Sequence, residues 1–97
     1  MSRWLLERRL SEISERLKRM KGELAVVDEQ LAFLADAADE ARLRSLVSET
    51  PLADRENHEA QKHADAMARE RAAVAASIQE LERSQDELLD RLVAESK

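Results

Sequence analysis

Apolar side chains recur in steps of three and four residues along most of this 97-residue chain, and the rhythm is interrupted once, at Ser48-Glu49-Thr50-Pro51. Proline fixes its own φ, has no N–H to donate and keeps the preceding residue out of the α region. Thr50 is a good helix N-cap, and proline is favoured at the first helical position. The sequence therefore predicts a helix over about residues 2–47, a turn at 48–50 and a second helix over about 51–95.

The composition favours long solvated helices. Charged residues make up 38% of the chain and aromatic residues 2%, with one glycine and one proline. Few sheets or loop-rich folds are built from such a composition, and many of the apolar residues are alanines, which bury little area. We expect a single all-α domain over residues 1–97, without a large core or a deep substrate pocket. Because the chain has no cysteine, it forms no disulfide.

The first predicted helix carries a heptad seam that is sustained over five repeats. Its a positions hold Leu10, Leu17, Leu24 and Leu31, and its d positions hold Ile13, Met20, Val27 and Leu34. Apolar a and d residues repeated over so many heptads are typical of a coiled coil. This helix is therefore expected to pack along one narrow stripe.

The second predicted helix repeats the rhythm, but three of its a positions hold polar side chains, Asn57, Arg71 and Gln85. Polar a residues often fix register and the number of helices at some cost in stability, and arginine can extend its guanidinium out of a narrow seam. When the two seams are folded against each other, the numbers of facing residues add to 98, which centres the turn on Glu49. The sequence thus predicts an antiparallel coiled-coil hairpin.

A second apolar face is predicted in the middle of the hairpin, away from the seam. Val26, Phe33 and Ala37 follow one another at helical spacing, and residues 64–76 of the opposite arm are rich in alanine. Exposed apolar patches mark partner sites. We predict that this face pairs with a second copy into a four-helix bundle; a different helical protein or an unpaired hairpin are the alternatives. The predicted face consists of Val26, Phe33, Ala37, Ala68, Ala72, Ala75 and Ala76.

The sequence contains no recognisable catalytic, metal or cofactor motif. His58 and His63 miss the zinc-protease spacing by one residue, because histidines five residues apart diverge by about 140° around a helix. With one glycine there is no glycine-rich phosphate loop, and no serine has the context of a nucleophile elbow. We therefore expect a protein that is not an enzyme and holds no cofactor.

The charges are unevenly distributed. Residues 1–22 carry seven Lys or Arg and three Glu, a net charge of +4, so the remaining residues carry −9 of the total of −5. One hypothesis is nucleic-acid binding with steep salt dependence, through Arg8, Arg9, Arg16, Lys18 and Arg19. We favour self-complementarity with the acidic stretch near the C-terminus, because no aromatic residue alternates with these arginines to stack on bases.

The chain lacks sequence signals for export or membrane insertion. Charged residues interrupt the start of the chain where a signal peptide has its apolar core. No apolar run approaches the roughly 18 residues of a membrane span. We therefore expect a cytoplasmic protein with no membrane contact.

The residues that open the second helix, Pro51-Leu52-Ala53-Asp54-Arg55, and the charged heptads after them resemble the hairpin tip of DksA-type transcription regulators. A fainter similarity joins Leu52, Asp54, Ala60 and Lys62 to the Gre-type transcript factors. The resemblance covers about a third of the chain. It implies a hairpin whose tip enters the secondary channel of RNA polymerase.

In that resemblance Asp54, beside Arg55, is the tip acid that carries over, and Glu49 could stand in for the missing first aspartate of the tip. Pro51 replaces the first aspartate of the family tip, and the globular domains of both families and the DksA zinc site have no counterpart in this sequence. The alternative is that Asp54 simply favours the positive N-terminal end of the second helix.

Overall fold

The computed structural model describes residues 2–96, which form two α-helices and no strand. Helix α1 spans Arg3–Ser48 and helix α2 spans Pro51–Glu95. These bounds lie within one residue of the predicted ones, and the predicted all-α helical hairpin is confirmed. Over the described residues, neither helix is apolar enough to cross a membrane.

The turn is closed by a cap on each helix. Glu49 has a φ of 51° and its N–H donates to the carbonyl of Ser45 at 3.1 Å, so a left-handed residue ends α1. Thr50 caps α2, because its Oγ1 accepts from the N–H of Ala53 at 3.2 Å and its carbonyl accepts from the N–H of Asp54 at 3.1 Å. Two residues therefore reverse the direction of the chain.

The contacts of the hairpin cluster in two units, and each unit contains a segment of both helices. The first unit comprises residues 2–24 and 74–96. Its buried residues are Leu6, Leu17, Val74, Ile78 and Leu88. Leu17, Val74 and Ile78 form one cluster, with Ile13, Met20, Leu24 and Leu81 packed against it. All of these residues occupy predicted a or d positions, which supports the predicted seam in this unit.

The second unit is Ala25–Ala73 and contains the turn. Most of its buried side chains are small: the buried residues are Val27, Ala38, Ala41 and Ala53. The larger seam side chains of Leu31, Leu34 and Met67 stay half-buried. Since hydrophobic stabilisation scales with the apolar area removed from water, this unit gains little from its own seam.

Three polar contacts reveal the register of the helices in the Ala25–Ala73 unit. They are Arg71 with Asp28, Gln61 with the carbonyl of Ala38, and Ser45 with Asp54. The residue numbers of each pair add to 99. Each contact is made by the residue that follows a facing seam residue, as Asp28 follows Val27. Its sum is therefore one higher than that of the seam layers, and the contacts agree with predicted layers that add to 98.

Replacing Glu49 with glycine is expected to raise the free energy of unfolding by about 1 kcal/mol, because a residue with a Cβ is strained at this left-handed φ and glycine is not. Urea denaturation followed by circular dichroism measures the change. The matched control, Ser48→Gly at the last residue of α1, is expected to lower stability, because glycine is a poor helix former. A destabilised Glu49→Gly variant would show that α1 does not end in this conformation.

Candidate functional site

Phe33 lies on the outer surface of α1 and is 73% exposed. Val26, seven residues earlier, is 54% exposed, and Ala37, four residues later, is half-buried. At roughly 100° per residue these three side chains fall on one side of α1. The structure therefore brings together the part of the predicted face that α1 contributes.

Two shallow grooves run along this side of the Ala25–Ala73 unit. The first has a volume of about 430 Å³ and lies between Phe33, Leu34 and Met67. The second has a volume of about 490 Å³ and reaches His63 and Ala66 on α2. Because Leu34 and Met67 line both grooves, Phe33 and Ala66 belong to one continuous surface. We call this surface the Phe33 flank; it consists of Val26, Gln30, Phe33, Ala37, His63, Ala66, Met67 and Glu70.

The alanines assigned from the sequence to the same face do not lie on the Phe33 flank. Arg71 is a seam residue and serves as the reference for angles around the axis of α2. Ala68 and Ala72 are rotated about 60° and 100° from Arg71 in one direction, whereas Ala66 is rotated about 140° in the other. The other two predicted alanines, Ala75 and Ala76, belong to the other unit. On this helical geometry, Ala68 and Ala72 point to the side of α2 opposite Ala66.

Two of the polar seam residues form hydrogen bonds at the edge of the seam. Asn57 Oδ1 accepts from Gln61 Nε2 at 3.2 Å. In the other unit, Gln85 Nε2 donates to Ser14 Oγ at 3.2 Å. Among the described residues, no buried side-chain nitrogen or oxygen lacks a hydrogen-bond partner. These seam positions are therefore polar without leaving an unsatisfied group in the core.

The third polar seam residue, Arg71, forms an ion pair with Asp28 across the two helices. Both side chains remain more than two-fifths exposed. Ion pairs in contact with solvent contribute about 0–1 kcal/mol. The pair is therefore better placed to fix the alignment of α1 and α2 than to stabilise the hairpin.

The hairpin tip exposes apolar side chains that the sequence analysis overlooked. These residues are Leu43, Leu46, Val47 and Leu52. None of them occupies an a or d position, and all four fall within ten residues around the turn. This clustering of large apolar residues outside the seam is visible in the sequence and could have indicated an exposed apolar tip.

The two predicted tip acids differ in their contacts. Asp54 Oδ1 accepts from Ser45 Oγ at 2.5 Å. The exposed side chain of Glu49 makes no hydrogen bond or ion pair with any other residue between 2 and 96. Arg55 is likewise exposed. Both acidic side chains are exposed, and Glu49 is the one whose carboxylate makes no hydrogen bond within residues 2–96.

The basic segment near the N-terminus forms ion pairs within the chain. The pairs are Arg3 with Glu7 at 3.0 Å, Arg8 with Glu12 at 3.4 Å, and Lys21 with Glu82 at 3.9 Å. The guanidinium of Arg8 also lies 5.5 Å from the ring centroid of Trp4. Trp4 therefore lies beside Arg8 at the start of the basic segment, before the arginines from Arg8 to Arg19 and not between them.

Between residues 2 and 96, no three His, Cys, Asp or Glu side chains converge closely enough to hold a metal ion. His58 and His63 are exposed on α2. Comparison with protein-family models, curated proteins and solved structures gives no match to the chain. The surface of the hairpin is therefore the basis on which a function can be inferred.

Replacing Arg71 with leucine is expected to raise the free energy of unfolding by about 1 kcal/mol. Burying an apolar side chain at this a position stabilises the hairpin more than a solvent-exposed ion pair does. Chemical denaturation measures the effect. The control Asp28→Ala removes the ion pair alone and is expected to change the free energy of unfolding by less than about 1 kcal/mol. A strong loss of stability in Arg71→Leu would show that the ion pair holds the helices together.

Proposed function

We propose that this chain is a non-catalytic protein–protein interaction module that pairs with a second copy of itself through the Phe33 flank to form a four-helix bundle. The observation that carries this proposal is the exposed Phe33 ring beside two adjoining grooves in a unit with few large buried side chains. A second helical pair would cover the Phe33 flank and bury its apolar side chains.

The energetics favour covering the flank. Full burial of a valine or phenylalanine side chain is worth about 1.5–3 kcal/mol relative to exposure. The Ala25–Ala73 unit buries mainly alanine, whereas Val26 and Phe33 remain in water. Association through this flank would therefore remove from water the large side chains that the hairpin itself leaves exposed.

The shape of the flank favours a helix over a small molecule. Small-molecule sites enclose most of the surface of their ligand, whereas both grooves are open to solvent along their length. Exposed Ala66 leaves room above α2 for the close approach of another helix. A helical partner fits such an open surface, with larger side chains set against small ones.

The double variant Val26→Glu/Phe33→Glu is expected to abolish self-association and leave the helix content unchanged, because both residues lie outside the seam. Light scattering across a concentration series should give about 22 kDa for the parent chain, twice its 11.0 kDa, and 11.0 kDa for the variant.

The matched control is Ala72→Glu, which adds a carboxylate to the opposite side of α2 and should leave the dimer intact. A parent chain that stays at 11.0 kDa throughout the series would contradict the proposal. Loss of helicity in the double variant would show instead that these residues belong to the seam.

The resemblance to DksA-type and Gre-type factors suggests a second candidate function, in which the hairpin tip docks on RNA polymerase. The free carboxylate of Glu49 favours this candidate, since a non-glycine residue at a φ of 51° is strained and such residues are often kept for function. The apolar side chains around the turn would add contact area.

For this second candidate, Glu49→Ala is expected to weaken binding to purified RNA polymerase by about tenfold, the loss of one charge-assisted hydrogen bond. Fluorescence anisotropy of labelled hairpin measures the affinity. Glu56→Ala, an exposed acid on α2, serves as the control and should bind as the parent does. Equal affinity of parent and Glu49→Ala, or no binding of the parent, would reject a role for the tip acid.

A further inference from the structure

We infer that the second copy places its α1 over α2 of the first copy, with the two-fold axis parallel to the helices of the Ala25–Ala73 unit. The inference rests on the proposed function and identifies the surface of the partner that completes the Phe33 flank. It follows from the charges beside the flank and from the register of the two helices.

The two edges of the Phe33 flank carry opposite charges. Glu29 and Asp36 stand four residues before and three residues after Phe33 on α1, positions that neighbour it on the helix surface. Two basic residues stand at the same spacing around Ala66 on α2; they are Lys62 and Arg69. The large residue of the flank is thus bordered by acids, and the small residue by these two bases together with the acid Glu70, which lines the second groove.

These four charged side chains are available to a partner. All of them are exposed. Within residues 2–96, Glu29, Asp36 and Arg69 make no hydrogen bond or ion pair, and Lys62 is 3.9 Å from the exposed Glu59. Exposed charges that border an apolar surface select the partner and its orientation.

The register determines which residues lie at the same level. Because facing layers have numbers that add to 98 and the edge contacts add to 99, Phe33 lies within about one residue of the level of Ala66, and Val26 lies within about one residue of the level of Ala73. Rotation about an axis parallel to the helices keeps every residue at its own level. That operation brings the partner's Phe33 over Ala66 and the partner's Val26 over Ala73, a large side chain against a small one in both layers.

The same rotation pairs the charged edges. The partner's Glu29 arrives within about one residue of the level of Arg69, and the partner's Asp36 arrives within about one residue of the level of Lys62. Symmetry repeats both contacts on the other side of the interface. Shape and charge complementarity therefore agree on one arrangement of the two copies.

The other two-fold arrangement brings like charges together. An axis perpendicular to the helices would lay α1 against the α1 of the partner subunit. The acidic edge with Glu29 and Asp36 would then face the same acidic edge, and the basic edges of α2 would meet in the same way. Like-charge contacts at an interface disfavour that geometry.

Engineered cysteines distinguish the two arrangements, because the chain has no cysteine of its own. A mixture of Glu29→Cys and Arg69→Cys chains is expected to form a disulfide-linked heterodimer on mild oxidation. A mixture of Glu29→Cys and Asp36→Cys chains is expected to stay uncrosslinked, because the two α1 helices are diagonal in the bundle. Efficient crosslinking of that mixture, without the product of Glu29→Cys with Arg69→Cys, would overturn the inferred orientation and leave the proposed dimer standing.

A charge reversal provides an independent measurement. Asp36→Lys is expected to raise the dimer dissociation constant by about tenfold, and Asp36→Lys/Lys62→Asp is expected to restore it. Asp65→Lys changes the same charge away from the flank and serves as the control. A double variant no tighter than the single one would overturn the orientation. A parent chain that is monomeric by light scattering would instead remove the proposed function and this inference with it.

Discussion

A hairpin of two helices has one interface, so the alignment of α1 with α2 decides what the rest of its surface presents. The turn sets that alignment with two residues, the left-handed Glu49 and the capping Thr50. Polar contacts at the edge of the seam agree with it, among them Arg71 with Asp28. A shift of one residue would separate these partners and rotate apolar side chains out of the seam.

The Ala25–Ala73 unit uses its apolar residues differently from the unit that contains the core around Leu17 and Ile78. Its buried positions are mostly alanine, and its largest ring, Phe33, faces water. Since a coiled-coil seam of small residues contributes little hydrophobic free energy, the exposed flank is where this unit can gain more. The proposed pairing accounts for both observations, because the large apolar side chains that are scarce in the seam of this unit lie on the flank.

Prediction from the sequence worked best where periodicity and geometry coincide. The seam follows from a repeat of seven residues, and the turn follows from the local chemistry of Thr50 and Pro51. The alanines of α2 carry no such directional information, because they occur on several sides of the helix. Assigning them to a surface needs the direction of each side chain relative to α1, which the spacing of alanines along α2 does not give.

The sequence by itself determined the two helices, their ends and the residues of their seam, since these depend on spacing along a helix and on the backbone limits of proline. The tertiary structure alone decided which outer residues share a surface. Phe33 and Ala66 are far apart in the sequence, and they line two adjoining grooves because the register of α1 against α2 brings them to nearly the same level. A left-handed Glu49 was equally beyond the sequence, because glutamate adopts that conformation only where the closed turn requires it.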